Sequence, residues 1–250
     1  MCRLVVNADD FGLSEEVNAA VVLGLRQGFL SDTSILVMAP FAPRGVEDLL
    51  RLGVTHAGIH LDLDGPLCWS PGGGERYPRT ELKRMLEKGD LAHACEEAAR
   101  RQIEAFFATG MAPSHLDTHH HVHGFRPVFD LVVRLALEYG IPALRFSRGG
   151  YRLPTRQDIP LQPEEALAME EALTRAGIFH CDRMAEGAGL IFGFMDEPPE
   201  GTTELVVHPS LGGDPWRARE LDALERAARG RPLRGPGFVL TSFRDLVGLE

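Results

Sequence analysis

The sequence predicts an irregular α/β barrel built as a single domain. Three observations point there. Short apolar runs alternate with helical patterns along the whole chain, the order that builds parallel βαβ units. About eight such runs can be read, and 250 residues is an ordinary length for a closed α/β barrel. No linker, low-complexity tract or internal repeat divides residues 1–250, so one domain is expected throughout.

The elements follow in order. Residues 4–6, Leu-Val-Val, read as a buried strand that ends at Asn7. Ser14 can cap the next helix, whose first turn holds Glu15 and Glu16 where they complement the dipole. Gly28 stops that helix after Gln27. Residues 34–38 read as a second strand, followed by a helix over 43–52. Residues 57–63 form a third strand carrying His60. The stretch 66–79, with Pro66, Pro71, Gly72, Gly73, Gly74 and Pro78, is loop-like. Residues 80–109 read as helix with a break at Gly89-Asp90, and 114–118 as strand. Val128, Leu131, Val132 and Leu135 recur at helical spacing within 127–139. Residues 143–146 read as strand, 148–162 as a Gly/Pro/Arg-rich loop, 163–176 as helix and 178–181 as a short strand. The stretch 184–203 has no clear period. A strand over 204–208, a helix over 216–229, a short strand over 238–240 and a terminal helix over 242–249 complete the chain.

Composition narrows the class. Hydrophobic residues at 44% and charged residues at 25% suit a soluble globular protein long enough to bury a core without disulfides or a structural metal. No apolar run approaches the roughly 18 residues of a membrane span. The net charge of −10 argues against a general nucleic-acid binder. Lys83 and Lys88 are the lysines among 26 basic residues, an arginine bias that fits genomic base composition. Cys2, Cys68, Cys95 and Cys181 form no CxxC pair, which excludes zinc-ribbon and thioredoxin-type motifs. The N-terminal residues lack the apolar core of a signal peptide, so the cytoplasm is the expected compartment.

In parallel α/β folds, chemistry gathers at the C-terminal ends of strands. Four polar clusters fall there: Asp9-Asp10, His60, Asp117 with the run from His119 to His123, and His208. Two adjacent carboxylates repel each other unless a cation or proton separates the charge. One of Asp9 and Asp10 suits a metal ligand and the other a base, although a solvated turn would carry the same pair. On a continuing strand, His115, Asp117, His119, His121 and His123 would share one face, about 6–7 Å apart. Metal–nitrogen bonds are about 2.0–2.1 Å. One ion can therefore take one or two of this row, and which ones stays open; the others would orient ligands or meet substrate. HExxH and CxxC spacings are absent. His60 alone suits a hydrogen-bonded core residue as well as a ligand. His208, before Pro209, suits a general acid if it shares the barrel mouth.

Taken together, Asn7-Ala8-Asp9-Asp10-Phe11-Gly12-Leu13-Ser14, Gly58-Ile59-His60-Leu61-Asp62-Leu63, His115-Leu116-Asp117-Thr118-His119-His120-His121-Val122-His123 and Val207-His208-Pro209 resemble the YdjC-like carbohydrate deacetylase family, which includes chitooligosaccharide deacetylases. Order and spacing agree to about residue 210, and Leu240-Thr241-Ser242-Phe243-Arg244-Asp245 resembles the family's ending. The region 148–203 matches poorly. The resemblance implies a distorted (β/α) TIM-like barrel that removes acetyl groups from N-acetylated sugars with one divalent metal. It implies Asp10, His60 and His119 as metal ligands, Asp9 as catalytic base and His208 as catalytic acid. Asp117 and His121 are left as groups behind the ligands or facing substrate. Two imidazoles and a carboxylate suit Zn²⁺ or another transition metal, whereas the family is often described with Mg²⁺. Trp69 or Trp216 would suit stacking on a sugar ring; Trp69, in the loop after the His60 strand, is the better placed. The expected partner is a small N-acetylated sugar or oligosaccharide, with no nucleic acid and no membrane, and a C2 homodimer is the commonest assembly. Competing readings are a metal-dependent phosphoesterase or other amidohydrolase, a non-catalytic sugar-binding regulator, and a metal-storage protein.

Overall fold

The computed structural model describes residues 2–64, 88–89, 92–151, 160–230, 232–235 and 237–249. Trp69, Cys68 and the loop expected over 66–79 lie outside these residues.

β1 (Cys2–Phe11) is the centre of the architecture. Around it stand β2 (Asp32–Ile35), β3 (His56–Leu61), β4 (Ala112–Thr118), β5 (Arg183–Glu186), β6 (Thr202–Val207) and β7 (Phe238–Leu240). The sheet has seven strands in the order β4-β3-β2-β1-β6-β5, with β7 also on β1, and every strand pairing is parallel. Among the described residues, helices α1 (Glu15–Gln27), α2 (Ala42–Arg51), α3 (Ala92–Ala108), α4 (Arg126–Tyr139), α5 (Pro163–Ala176), α6 (Ile191–Asp196), α7 (Pro215–Ala228) and α8 (Phe243–Val247) accompany the sheet.

The two edges of the sheet are joined by two thinner staves. Leu116 of β4 pairs with Leu144, and Ala143 pairs with Phe179. The bonds Leu116 N–H to Ala143 O, Arg145 N–H to Leu116 O and Leu144 N–H to Phe179 O run 2.9, 3.0 and 2.9 Å. The chain leaving Phe179 becomes β5, which pairs with β6, and the ring closes as a distorted TIM-like barrel. The expected strands at 143–146 and 178–181 are thus reduced to bridges. A strand not foreseen lies at β5, inside the stretch without a clear period. Its sequence, Arg-Met-Ala-Glu, has neither an apolar run nor alternation, and Arg183 is exposed while the other three residues are only partly buried.

The helices follow from local chemistry. Ser14 Oγ accepts from Val17 N–H at 3.2 Å, a cap of about 1 kcal/mol. Gly28 closes α1 in the left-handed region at φ 74°. Val17, Ala20 and Val21 of α1, Ala98, Ile103 and Phe106 of α3, and Val128, Leu131, Val132 and Leu135 of α4 pack in one core with the apolar residues of β1 and β3. Pro127 and Pro163 open α4 and α5, where the missing N–H has no helical partner to lose. No helix among the described residues is long and apolar enough to cross a membrane.

Candidate active site

A regular strand would send Asp9 and Asp10 to opposite faces. Here Asp10 adopts φ 66°, outside the strand region. The register with β2 slips at the same place, from Ala8 opposite Thr33 to Phe11 opposite Ile35, so β1 spends one residue more than its neighbour. The bulge brings both carboxylates to one site. Each is about 1% exposed, which makes an unpaired charge there very unfavourable.

Three further strand ends supply the rest. His60 on β3 stands opposite Asp117 on β4, and Asp117 Oδ1 lies 2.7 Å from His60 Nδ1. That contact orients the ring and turns Nε2 toward Asp10, 3.3 Å from Oδ1. His119, the first residue after β4, places Nδ1 2.9 Å from the same Asp10 oxygen. Potential ligand atoms of Asp10, His60 and His119 all lie within 4.8 Å of one another. His208, just beyond β6, has Nε2 3.9 Å from Asp9 Oδ2.

The histidine run does not continue as a strand. β4 ends at Thr118, and a short 3-10 segment, His119–Gly124, contains His120 and His121 at φ 55° and 52°. The expected single row is therefore corrected: only His115 and Asp117 share a strand face, with His115 Nε2 3.8 Å from Asp117 Oδ2. Two successive left-handed residues fan the rings apart. His120 turns to Asp64, 3.0 Å away. His121 stacks on Tyr151 with ring centres 5.1 Å apart and faces Glu186 at 3.6 Å. His123 Nδ1 meets Thr118 Oγ1 at 2.6 Å. His115 stacks on Phe243 at 4.1 Å, and burial pushes its pKa down to about 4.

The sequence did not single out Arg145. Its guanidinium is fully buried and grips Asp9 with two bonds, Nη1 to Oδ2 at 2.8 Å and Nη2 to Oδ1 at 2.7 Å. Nη2 also lies 2.7 Å from Asp117 and from Glu204. Burial alone would raise the Asp9 carboxyl; Arg145 and then His60 outweigh it and hold Asp9 below the usual carboxylate range. Burial would likewise raise Asp10, and the His119 ring beside it drives Asp10 well below that range. Burial opposes a charge on His60, yet Asp117 and Asp9 lift its pKa well above the ordinary value. Glu204 is the exception, pushed up to about 7 by burial against the pull of Arg145. Ser34 Oγ donates to Asp117 at 2.9 Å, and Asn7 Nδ2 donates to Asp9 at 2.8 Å. Arg217 of α7 donates to Asp10 Oδ2 at 2.5 Å and stacks over Trp216. A usable signal for Arg145 existed. A charged residue inside the apolar run Ala143-Leu144-Arg145-Phe146 must find buried carboxylates.

The donor set fits a divalent cation. Asp10 Oδ1 and His60 Nε2 are buried, face each other, and have no hydrogen-bond partner of acceptable geometry. Two further groups of potential donors, Asp9-His60-Asp117 and His115-Asp117-Glu204, stand beside it among the described residues. Their carboxylates already share the Arg145 cation. A cavity of about 640 Å³ opens next to the site, with His208, Trp216, Glu220, Glu186 and Leu190 among its walls.

A family model described as YdjC-like protein matches residues 3–231. The chain is 35% identical over 262 residues to a chitooligosaccharide deacetylase of Salmonella paratyphi B, covering 97% of this chain and 98% of that one. It is 33% identical over 216 residues to a carbohydrate deacetylase of Halalkalibacterium halodurans, covering 83% and 85%. Among solved structures, a candidate cellobiose-phosphate cleavage protein from Enterococcus faecalis V583 shares the fold with a TM-score of 0.69 over 98% of both chains, at 20% identity.

Proposed function

Because the chain belongs to the YdjC-like protein family, we propose that it is a carbohydrate N-deacetylase, residues 1–250 forming one metal-dependent catalytic domain. The substrate is an N-acetylated sugar or chitooligosaccharide, and the products are acetate and a free amino sugar. The observation that carries this reading is the pairing of Asp9 with His208, 3.9 Å apart, beside the convergent donors of Asp10, His60 and His119.

In this reading Asp10, His60 and His119 hold one divalent ion. Zn²⁺ or a similar transition metal suits two imidazoles and a carboxylate, and Mg²⁺ is the alternative that metal analysis decides. When bound, such an ion supplies Lewis-acid polarisation of a carbonyl and of water. Asp9 accepts the proton of the attacking water. Arg145 and Asn7 keep its carboxylate ionised and fixed, which costs basicity but secures the correct protonation state. His208 Nε2 delivers a proton to the departing nitrogen, because an amide nitrogen leaves poorly as an anion. Asp117 fixes the His60 ring. His121, against Tyr151 and Glu186, belongs to the side of the site where Glu186 and Gly150 wall the cavity. That cavity lies within the range of about 300–1,000 Å³ common for small-molecule sites.

Arg145 favours this reading over a two-ion phosphoesterase. A second ion would need carboxylates that this guanidinium already bridges. The relatives' names and the presence of both a base and an acid favour it over a sugar-binding regulator. Free, buried Cys2, Cys95 and Cys181 agree with a cytoplasmic home. Homodimer assembly is open to gel filtration.

The test is acetate release from N-acetylglucosamine and chitooligosaccharides of defined length, with Zn²⁺, Co²⁺, Ni²⁺, Fe²⁺ or Mg²⁺ supplied to purified protein. Acetate from at least one sugar is expected. Cleavage of a phosphoester with no acetate from any sugar would overturn the assignment.

A further inference from the structure

Glu220 lies on α7, outside every motif that carries the family resemblance, and the chemistry above leaves it without a role. Its position is specific. Oε2 accepts the backbone N–H of His208 at 2.5 Å. Oε1 accepts the backbone N–H of Ala188 at 3.3 Å. One carboxylate thus ties the residue following β6 to the turn following β5. Gly187, at φ 108°, makes that turn, and a side chain there would point at Glu220 Oε1 from 3.7 Å. Glu220 also walls the cavity alongside His208 and Trp216.

The geometry around the His208 ring adds a second element. Glu220 Oε2 lies 3.8 Å from Nδ1, while Nε2 points toward Asp9. That separation is beyond a hydrogen bond but well within Coulomb range in a partly buried site. Trp216 packs against the ring at 5.4 Å, which limits its rotation. The imidazole has its proton-delivering edge toward the base and its other edge toward a carboxylate.

We propose that Glu220 is a positioning residue: it anchors His208 through the backbone and faces Nδ1 with negative charge, so that Nε2 carries its proton toward the leaving nitrogen. The inference rests on His208 being the general acid of a deacetylase. The balance of the step is simple. The C–N bond breaks, its electron pair stays on nitrogen, and the proton moves from His208 Nε2 to that nitrogen. Glu220 gains and loses nothing.

The consequence is selective. Only leaving groups that need a proton depend on an aimed acid. Nitrophenolate leaves without one, so an aryl acetate tests water attack alone. The experiment compares wild type, Glu220→Gln, Glu220→Ala and His208→Ala on an N-acetylated sugar and on 4-nitrophenyl acetate. Thermal melts and bound metal are measured on each protein. Glu220→Gln keeps an acceptor for a backbone N–H and removes the charge; Glu220→Ala removes both. The expected result is a fall in kcat on the amide of about tenfold for Gln and about 100-fold for Ala, at or below the lower end of the roughly 10²- to 10⁴-fold contribution of a general acid, as suits a residue that only positions it. KM, bound metal and aryl acetate turnover stay within about twofold of wild type. Equal losses on both substrates, a rise in KM with kcat intact, or no loss at all would overturn the role of Glu220. If Glu220→Ala does not fold, Glu220→Gln alone decides. Wild type that releases no acetate from any sugar refutes the deacetylase reading instead. Equal losses for His208→Ala on both substrates refute its role as acid.

Discussion

Arg145 holds Asp9 through two parallel hydrogen bonds of 2.7 and 2.8 Å at a site closed to solvent. The same guanidinium neutralises Asp117 and Glu204. It fixes the proposed base and balances the buried charge of the barrel floor. Removing it leaves three carboxylates without their cation. Arg145→Ala is expected to destabilise the fold by about 3–5 kcal/mol, as for other broken buried ion pairs. Arg145→Lys keeps the charge but cannot form the fork, so it should retain more stability than Ala while losing most acetate release. Denaturant melts and turnover on both variants check this; a Lys variant as active as wild type would show that the fork is dispensable.

Binding and chemistry should separate genetically between Asp9 and His119. Asp9→Asn preserves shape and leaves Asp10, His60 and His119 intact. It should keep wild-type metal content and lose about 10²- to 10⁴-fold in kcat. His119→Ala removes a donor and should weaken metal binding by about 100-fold or more. Metal analysis after dialysis, read beside acetate release, distinguishes them. Metal loss from Asp9→Asn, or full metal in His119→Ala, would exchange the proposed roles.

Stability should depend on pH through Asp32, away from the site. Its carboxyl accepts the N–H groups of Phe243 and Thr33, yet burial lifts its pKa from 3.8 to about 7. The folded state then holds more protons than the unfolded state between those values. The contribution is complete near pH 4 and is lost as pH rises to about 7, by at most about 4 kcal/mol at roughly 1.36 per unit. Glu204, also lifted to about 7, adds slope of the same sign. Asp32→Asn cannot titrate, so its unfolding free energy should fall less steeply between pH 4.5 and 7.5. Parallel curves for the two proteins would refute this.

Gly58 marks a close approach. A Cβ there would overlap the His115 ring and sit 2.8 Å from Ser34 Cβ. Gly58→Ala should destabilise the protein by about 1–3 kcal/mol, the usual cost of overpacking. Adding His115→Ala should recover part of that loss, because the ring supplies the clash. A double variant less stable than the sum of the singles would point to another cause.

The barrel was largely legible because its signals are local. The cap at Ser14, the stop at Gly28 and the period of α4 are each contained within one element. β5 was not legible, since Arg-Met-Ala-Glu is strand only because β6 lies alongside. The motifs that carry the resemblance already name Asp10, His60 and His119, the trio whose potential donor atoms the fold brings together. The fate of the histidine run could not be read, because it depends on two left-handed residues that a strand pattern does not announce. Arg145 and Glu220 were missed for a related reason: their partners are distant in sequence, Glu204 and Asp9 lying 59 and 136 residues from Arg145, and His208 and Ala188 lying 12 and 32 residues from Glu220.

β1 precedes in the chain every strand it pairs with, and two of its three partner strands follow about 200 residues or more later. Residues 3–8 take a neighbour from Thr202–Val207, and residues 2–4 from Phe238–Leu240. Contacts this distant in sequence slow folding. Until they form, the β6 edge of the strand bearing Asp9 and Asp10, and the start of its other edge where β7 docks, stay open as templates for unwanted pairing. Asp9 and Asp10 thus wait for distant segments before their strand is fully paired, and a chain cut before residue 202 would present them on an aggregation-prone strand.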